Sequence, residues 1–336
     1  PAPTLPTAPP VQPTPAPTAR PVAPRGASTQ TPKPTATLPV TRIPTTRAPT
    51  STPPPTPKPT SVPPTDTPQP QTMWSTLYFL GPNKAYYVPV NRQTSFTTGV
   101  ARRAIELMIE GPRAGSSLLR SIPPGMHLVD IWRDGNTLYL NVDHRFDELG
   151  ASQVEALAVV LAMTEFWGVD RAQFLVNGTP VGLPGSADTG AVVRPRYVNF
   201  ENPYNLDAEE AIALTLYFAT PDGTYLFPMV RRVPATVTTA RTTIDEMIKG
   251  PSTSMAGLAM SALPAGTTIL DIYRDGSTIY VNFNNTFLQA PNHDLAVNAL
   301  RFAMAGLTSD SPQGVDSVRI SVDGVGLEYY WGDTYS

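Results

Sequence analysis

Residues Asp130–Val142 read D-I-W-R-D-G-N-T-L-Y-L-N-V, and residues Asp271–Phe283 read D-I-Y-R-D-G-S-T-I-Y-V-N-F. Eight of the thirteen positions are identical, and an offset of 141 residues relates the two stretches. A repeat of this kind indicates that the chain contains two copies of one structural unit. We therefore interpret the remaining sequence relative to these two equivalent stretches.

Each copy has the pattern of a β-hairpin. Asp134-Gly135 and Asp275-Gly276 lie between alternating apolar runs, and Asp and Gly accept the positive φ that a two-residue turn requires. A turn at these residues predicts a definite cross-strand register. The expected pairs are Arg133 with Asn136, Trp132 with Thr137, Ile131 with Leu138, Asp130 with Tyr139 and Val129 with Leu140.

Side chains alternate between the two faces of a strand, so each hairpin has two dissimilar faces. The predicted buried face is aliphatic in both copies: Val129, Ile131, Leu138 and Leu140, then Leu270, Ile272, Ile279 and Val281. The predicted outer face is polar at its edges and aromatic at its centre: Asp130, Trp132, Thr137, Tyr139 and Asn141, then Asp271, Tyr273, Thr278, Tyr280 and Asn282.

The N-terminal part of the chain has a different composition. Residues 1–72 hold 24 of the 40 prolines and 18 threonines, and they contain no Phe, Tyr or Trp. Without large apolar side chains such a segment cannot offset the entropy of ordering, and its prolines favour polyproline II. We expect residues 1–73 to be an extended tail or stalk, acting either as a spacer or as an element that packs in an assembly.

Composition also excludes several classes of site. The chain has no cysteine, so disulfides, zinc–thiolate sites and thiol nucleophiles are excluded. A formal net charge of -3 gives no indication of binding to nucleic acid or to an anionic membrane. No apolar run approaches the roughly 20 residues that span a bilayer. The chain begins at Pro1, next to a Pro/Thr-rich stalk, which favours an exported protein of the cell surface or envelope.

The hairpin repeats lie inside two longer repeated units. We call residues 74–183 module 1 and residues 214–336 module 2, and we expect residues 184–213 to be a linker with possible short strands at Val192-Val193 and Tyr197-Val198. Each module reads as β-β-α-β-β-α-β, with Gly111-Pro112 ending the first helix and Ser152 capping the second. Two helices with one apolar stripe each cover only one sheet face. The sequence therefore predicts α+β modules, each a small mostly antiparallel sheet with an open face.

The order of these signals resembles the GerMN domain, the sporulation and spore-germination module. The resemblance rests on L-Y-F, a basic residue after V-P in module 1 (Arg92) and after F-P in module 2 (Arg231), a helix ending in G-P, then I-P-x-G in module 1 and L-P-x-G in module 2. The hairpin motif, a helix and a strand ending in N/D-G follow. The resemblance implies a ring-building type of small domain that associates side by side in the cell envelope. It implies no catalytic activity, and peptidoglycan is a partner of some members.

The candidate contact residues are the outer-face rings Trp132, Tyr139, Tyr273 and Tyr280, with Asp130 and Asp271 beside them. Three interpretations remain open at this point. The rings could pack across the strands or beneath residues 184–213, they could form a protein interface, or they could stack on a glycan.

We find no convincing catalytic, cofactor or metal site. No P-loop, G-x-S-x-G, H-E-x-x-H, dinucleotide fingerprint or EF-hand loop is present. Asp143, His144, Asp147 and Glu148 could form a metal or acid–base cluster, but module 2 has Asn284-Asn285 in place of Asp143-His144.

Three functional hypotheses follow. The leading one is a non-catalytic structural protein that self-associates into a ring or an extracellular filament, because tandem modules permit head-to-tail contacts. The second is a module that binds peptidoglycan or another wall glycan. The third, which the absence of paired metal ligands disfavours, is a wall hydrolase.

Overall fold

The structure is a computed structural model that describes residues 72–97, 99–235, 239–307 and 314–335. The predicted stalk lies outside the described residues, apart from Thr72 and Met73. Within the described ranges, no helix is both long and apolar enough to cross a bilayer.

The elements of module 1 follow the predicted order. Its strands are β1 (Thr72–Leu80), β2 (Tyr87–Ser95), β3 (Leu128–Asp134), β4 (Thr137–Val142), β5 (Arg171–Val176) and β6 (Thr179–Val181). Its helices are α1 (Val100–Glu110) and α2 (Gln153–Met163). As predicted, α1 ends before Gly111, and α2 begins after Ser152 with a capping box in which the Glu155 carboxylate accepts from the Ser152 N–H at 3.0 Å.

The linker contributes β7 (Val192–Val193) and β8 (Phe200–Glu201). The strand at Val192-Val193 is confirmed, whereas the second lies at Phe200-Glu201 and not at Tyr197-Val198. Module 2 repeats the order. Its strands are β9 (Ala211–Ala219), β10 (Leu226–Pro234), β11 (Met260–Ser261), β12 (Ile269–Asp275), β13 (Thr278–Phe283), β14 (Ser317–Val322) and β15 (Val325–Gly326). Its helices are α3 (Thr239–Lys249), α4 (His293–Ala305) and the short α5 (Leu327–Trp331).

Each module divides its strands between two sheets. In module 1, β1 and β2 form an antiparallel hairpin, while β3, β4, β5 and β6 form a second sheet in that order, with β7 on β5. In module 2, the second sheet has the order β12-β13-β14-β15. The pair β4–β5 is parallel because α2 crosses over between them, and β13–β14 is parallel through α4. The predicted α+β class is confirmed, but the single sheet expected in each module is divided into two.

The helices lie between the hairpin and the second sheet. In module 1, α1 packs on β1 and β3, and α2 packs on β1 and β5. This position buries α2 almost all round, including every residue from Ala158 to Met163, so the expectation of a single apolar stripe on α2 was wrong. A helix that contacts apolar surface on two sides loses its polar face.

The two modules belong to one compact unit and contact each other through their first hairpins. The Tyr86 ring stacks on Phe227 with centroids 3.8 Å apart, and its hydroxyl donates to the Leu258 carbonyl at 2.5 Å. Asn199 of the linker accepts from the Tyr87 N–H at 2.7 Å and donates to the carbonyls of Tyr87 and Pro228 at 2.9 and 2.6 Å. The linker is therefore built into the contact between the modules.

Candidate functional site

The hairpin β3–β4 carries the first pair of candidate rings on an open surface. Trp132 lies directly opposite Tyr139, and the two rings stack with centroids 5.2 Å apart and an interplanar angle of 4°. Trp132 is 39% exposed and Tyr139 is half-buried. The linker covers Gln173 on the neighbouring strand, where the Gln173 amide donates to the Thr189 carbonyl at 2.9 Å, but it leaves Trp132 exposed.

The hairpin β12–β13 reproduces this arrangement. Tyr273 lies opposite Tyr280, with centroids 4.8 Å apart and an interplanar angle of 5°, and Tyr273 is 55% exposed. We call the surface formed by Val129, Trp132 and Tyr139 face 1, and that formed by Leu270, Tyr273 and Tyr280 face 2. The two pairs of candidate rings thus occupy equivalent and accessible positions.

The predicted cross-strand register of both hairpins was wrong, because the turn lies one residue later in the chain than expected. The turn residues are Gly135-Asn136 and Gly276-Ser277, so that Asp134 pairs with Thr137 and Asp275 with Thr278. Positive φ occurs at the first turn position, 57° at Gly135 and 58° at Gly276, which is the requirement of a type II′ turn. The Arg133 side chain stabilises this geometry by donating from Nε to the Gly135 carbonyl at 2.7 Å.

A bulge changes the place of two residues predicted to be buried. Pairing skips one residue between Leu128 and Asp130, and again between Ile269 and Asp271. The extra residues are Val129 and Leu270, and they are 48% and 51% exposed instead of lying on the aliphatic face. Because β3 and β12 each lie at the end of their sheet's strand order, these apolar residues lie on strand edges.

The bulge also explains Asp130 and Asp271. The Asp130 carboxylate accepts from the Ile131 N–H at 2.8 Å, and Asp271 accepts from Ile272 at 2.9 Å. Asp130 lies opposite Asn141 and not Tyr139, and it forms an ion pair with Arg102 of α1 at 2.8 Å. Both aspartates therefore have a structural role at the bulge, beside the aromatic rings.

Module 1 carries a further exposed ring that the sequence analysis missed. Trp167, between α2 and β5, is 93% exposed, and its carbonyl accepts from Arg133 Nη1 at 2.8 Å. The single signal in the sequence was a tryptophan next to Gly168, a position typical of a surface turn. The Arg133 contact attaches this turn to the end of hairpin β3–β4.

The histidine cluster at the end of β4 does not form the proposed metal site. Asp143 accepts from the His127 N–H at 2.8 Å and contacts the rings of His127 and His144 at 2.7 and 3.1 Å. Partial burial raises the pKa of Asp143, but the hydrogen bonds from both histidines outweigh it and hold that pKa well below its usual range. Module 2 places Asn284 in the same role, accepting from the Thr268 N–H at 3.0 Å, so the position supports a loop in both modules.

The other members of that cluster have partners as well. Asp147 pairs with Arg145 at 3.0 Å, and Glu148 accepts from the Arg145 N–H at 2.9 Å. The third histidine, His293, stacks on Trp331 with centroids 3.8 Å apart. Across the described ranges, no group of three or more His, Asp or Glu side chains is placed to hold a metal ion.

Arg92 and Arg231, each three residues after a proline, lie at matched positions. Arg92 and Arg231 donate from Nη2 to the carbonyls of Gly111 and Gly250, each at 2.7 Å, at the C-terminal ends of α1 and α3. A cation is favourable there because carbonyl groups at the end of a helix carry partial negative charge. Each guanidinium also lies over a phenylalanine ring, Phe79 at 5.2 Å and Phe218 at 5.4 Å.

Comparison with known families agrees with this architecture. The profile of the Germane family, described as sporulation and spore germination, matches residues 76–182 and 215–328. The chain belongs to the Germane family. Its resemblance to tandem GerMN domains is thereby confirmed, and Germane membership carries no catalytic assignment. No curated protein sequence matches the chain.

Two solved structures are similar to the chain, and the first of them shows the same fold. The tandem GerMN domains of the sporulation protein GerM from Bacillus subtilis match with a TM-score of 0.53 and 18% identity, over 76% of this chain and 92% of that chain. The first GerMN domain of the same protein matches with a TM-score of 0.30 and 19% identity, over 35% of this chain and 86% of that chain. The first comparison shows that this Germane chain has the tandem GerMN fold, and at such identity it shows the fold alone.

Proposed function

We propose that this protein is an exported, non-catalytic structural protein that self-associates into a ring or an extracellular filament through faces 1 and 2. In this proposal, the Pro/Thr-rich residues 1–73 act as a spacer. The observation that carries it is the presence of two equivalent aromatic pairs, each with one exposed ring, on hairpins that end their sheets. Exposed aromatic residues are enriched at the centres of protein interfaces.

The strand edges support the same proposal. Among the described residues, β3 pairs with β4 alone and β12 pairs with β13 alone, so the outer edge of each strand has no strand neighbour there. An unpaired edge is a template for another chain unless charges or bulges protect it. The bulges in β3 and β12 protect these edges from strand addition, but they place Val129 and Leu270 at the surface and so favour a side-chain contact through faces 1 and 2.

The geometry of the rings favours a protein partner over a glycan. Trp132 stacks on Tyr139, and Tyr273 stacks on Tyr280, so each pair uses two of its ring faces internally. A sugar platform needs open ring faces, whereas a protein interface also uses ring edges and the polar tips of tyrosine and tryptophan. Binding to a wall glycan therefore remains the second candidate.

The proposal is tested by sedimentation velocity of the full chain over a range of concentrations. We expect the wild type to form larger species as concentration rises, and we expect Trp132→Ser with Tyr273→Ser to remain small. Removal of a central aromatic residue typically costs about 2 kcal/mol or more, which is about thirtyfold in affinity. The control is Tyr329→Ser, which removes a ring that is 79% exposed and lies outside faces 1 and 2.

If the wild type sediments as a single chain at every concentration, self-association is ruled out. If the wild type and the double variant assemble equally, faces 1 and 2 are excluded as the contact surfaces. For the second candidate, the protein is mixed with purified sacculi: retention that Trp132→Ala abolishes without changing the oligomer size favours glycan binding. A zymogram without clearing excludes a wall hydrolase.

A further inference from the structure

The linker fills a groove in module 2 whose counterpart in module 1 is open. In module 2, Phe200-Glu201 adds to the outer edge of β10 as a parallel strand, with Val230 opposite Phe200 and Arg231 opposite Glu201. The Val230 N–H donates to the Asn199 carbonyl at 3.0 Å. In module 1, β2 is the counterpart of β10, and within the described residues it pairs with β1 alone.

The contacts of the linker with module 2 show what the groove accepts. Arg231 is 3% exposed, and its guanidinium donates to Glu201 from Nε at 2.6 Å and to Glu246 from Nη1 at 2.7 Å. Tyr204 donates to Glu246 at 2.7 Å, and Arg232 donates to the Leu206 carbonyl at 3.3 Å. An extended segment with a carboxylate therefore neutralises the buried arginine while its main chain continues the sheet.

Two of the corresponding positions in module 1 line an open groove of about 670 Å³ between β2 and α1, next to Arg92 in sequence. Its lining includes Gln93 and Leu107, the counterparts of Arg232 and Glu246, which the linker contacts in module 2. The main-chain groups of β2 on this side belong to Tyr87, Asn91 and Gln93, by alternation from the Tyr87 groups that bind Asn199. Asn91 and Gln93 are exposed.

Arg92 lacks the carboxylate partners that its counterpart Arg231 has in module 2. Its Nε is buried and has no hydrogen-bond partner among the described residues, whereas Arg231 Nε binds Glu201. Leu107 replaces the second carboxylate, Glu246. Burial, and then the like charge of Arg113, lowers the pKa of Arg92, and the opposing charge of Glu110 does not offset them.

We propose that the outer edge of β2 at Asn91 and Gln93, beyond the Tyr87 groups that Asn199 binds, is a peptide-binding site that takes an extended segment of a partner protein, with a carboxylate side chain following an apolar residue. The segment adds to β2 as a parallel strand, its carboxylate binds Arg92, and its flanking residues occupy the groove against Gln93 and Leu107. Main-chain hydrogen bonds supply affinity in this mode of recognition, and the side-chain pockets supply specificity. The inference goes beyond self-association, because it concerns a different surface from faces 1 and 2.

The chain supplies its own probe for this site. A labelled peptide with the sequence of residues 197–206, Y-V-N-F-E-N-P-Y-N-L, is titrated into the full chain and followed by fluorescence polarisation. We expect saturable binding, and we expect the same peptide with Gln in place of Glu201 to bind about tenfold more weakly or worse, because a charge-assisted hydrogen bond is lost.

Two protein variants locate the binding. Arg92→Met removes the cation, and Asn91→Pro removes the N–H that corresponds to the Val230 donor while leaving an edge position that tolerates proline. Each is expected to weaken binding at least about tenfold. Asn91→Pro keeps the test valid if Arg92→Met does not fold. The matched control is Arg171→Met, an exposed arginine on β5, which is expected to leave binding unchanged.

The absence of saturable binding to the full chain overturns the proposal. Binding that is equal for the Glu and Gln peptides, or that Asn91→Pro leaves unchanged, overturns it as well, since the peptide then binds elsewhere.

Discussion

Replacing Arg231 by methionine removes the cation that two buried carboxylates share, and leaves Glu246 paired with Lys249 alone. The side chains of Arg231 and Glu246 are each 3% exposed, and that of Glu201 is 10% exposed. Breaking a buried ion pair by removing one partner costs about 3–5 kcal/mol, because the remaining charge stays desolvated. We expect the free energy of unfolding of Arg231→Met to fall by that amount.

The matched substitution in module 1 calibrates this value. Arg92→Met removes the same hydrogen bond to a helix-terminal carbonyl, 2.7 Å to Gly111, and the same contact with a phenylalanine ring. It removes no ion pair that is present among the described residues. The loss should therefore be about 1–2 kcal/mol, the usual value for one hydrogen bond and a partly buried side chain. The difference between the two losses of unfolding free energy measures the contribution of the ion pairs that Arg231 forms with Glu201 and Glu246.

The assay is urea denaturation followed by circular dichroism, with the midpoints of the wild type and both variants compared at equal slope. It is repeated as the pH is lowered. Burial raises the pKa of Glu246, but hydrogen bonds from Lys249, Arg231 and Tyr204 outweigh it, so this pKa is lowered overall. A lowered pKa contributes stability above the unfolded value of about 4.3 and loses it as the pH falls through the folded value.

Arg231→Met removes one of the groups that lower the pKa of Glu246, so this carboxylate takes up a proton at a higher pH in the variant than in the wild type. The difference in unfolding free energy between the wild type and Arg231→Met should accordingly become smaller as the pH falls toward 4. Equal losses for Arg231→Met and Arg92→Met at pH 7 would refute the reasoning, as would a gap that widens in acid.

Three further predictions concern the contact between the modules and the hairpin turn. Asn199→Ala removes three hydrogen bonds at the contact between the modules and should cost about 2–3 kcal/mol of unfolding free energy; no change in the urea midpoint contradicts this role. Burial raises the pKa of Asp222, but hydrogen bonds from Thr220, Ser117 and Thr224 outweigh it and hold the pKa at about 2. The protein should therefore lose stability as the pH falls from about 4 to about 2, and Asp222→Asn should remove that part of the acid sensitivity in a pH series of urea midpoints. Gly135→Ala places a side chain at φ 57° and should lower the free energy of unfolding by about 1 kcal/mol. An unchanged melting temperature would contradict the assignment of positive φ to this turn position.

The sequence predicted the order of elements because that order depends on local signals. Helix ends at Gly111 and Ser152 and apolar periodicity are properties of short segments. The register of the hairpin depends on one residue, and Asp134-Gly135 and Gly135-Asn136 are both acceptable turns by composition. The structure has Gly135-Asn136 as the turn and a bulge at Val129, and the sequence alone carries no sign of either choice.

The linker shows a second limit. Tyr197-Val198 has a stronger strand composition than Phe200-Glu201, but tertiary contacts decide which residues pair. Arg231 selects Glu201 as its partner across the edge of β10, and Glu246 comes from a helix that follows later in the chain. Such a cluster becomes visible only when the fold brings distant residues together.

The central claim is that faces 1 and 2 meet between copies of this chain, and engineered cysteines test it most directly. The natural chain has no cysteine, so Val129→Cys with Leu270→Cys introduces one thiol on each face and no competing thiol. After mild oxidation of the full chain, head-to-tail contacts predict a ladder of cross-linked multiples on a denaturing gel. Tyr329→Cys, an exposed position outside both faces, serves as the control for random collision. Cross-linking of the double variant no greater than that of this control would contradict the account.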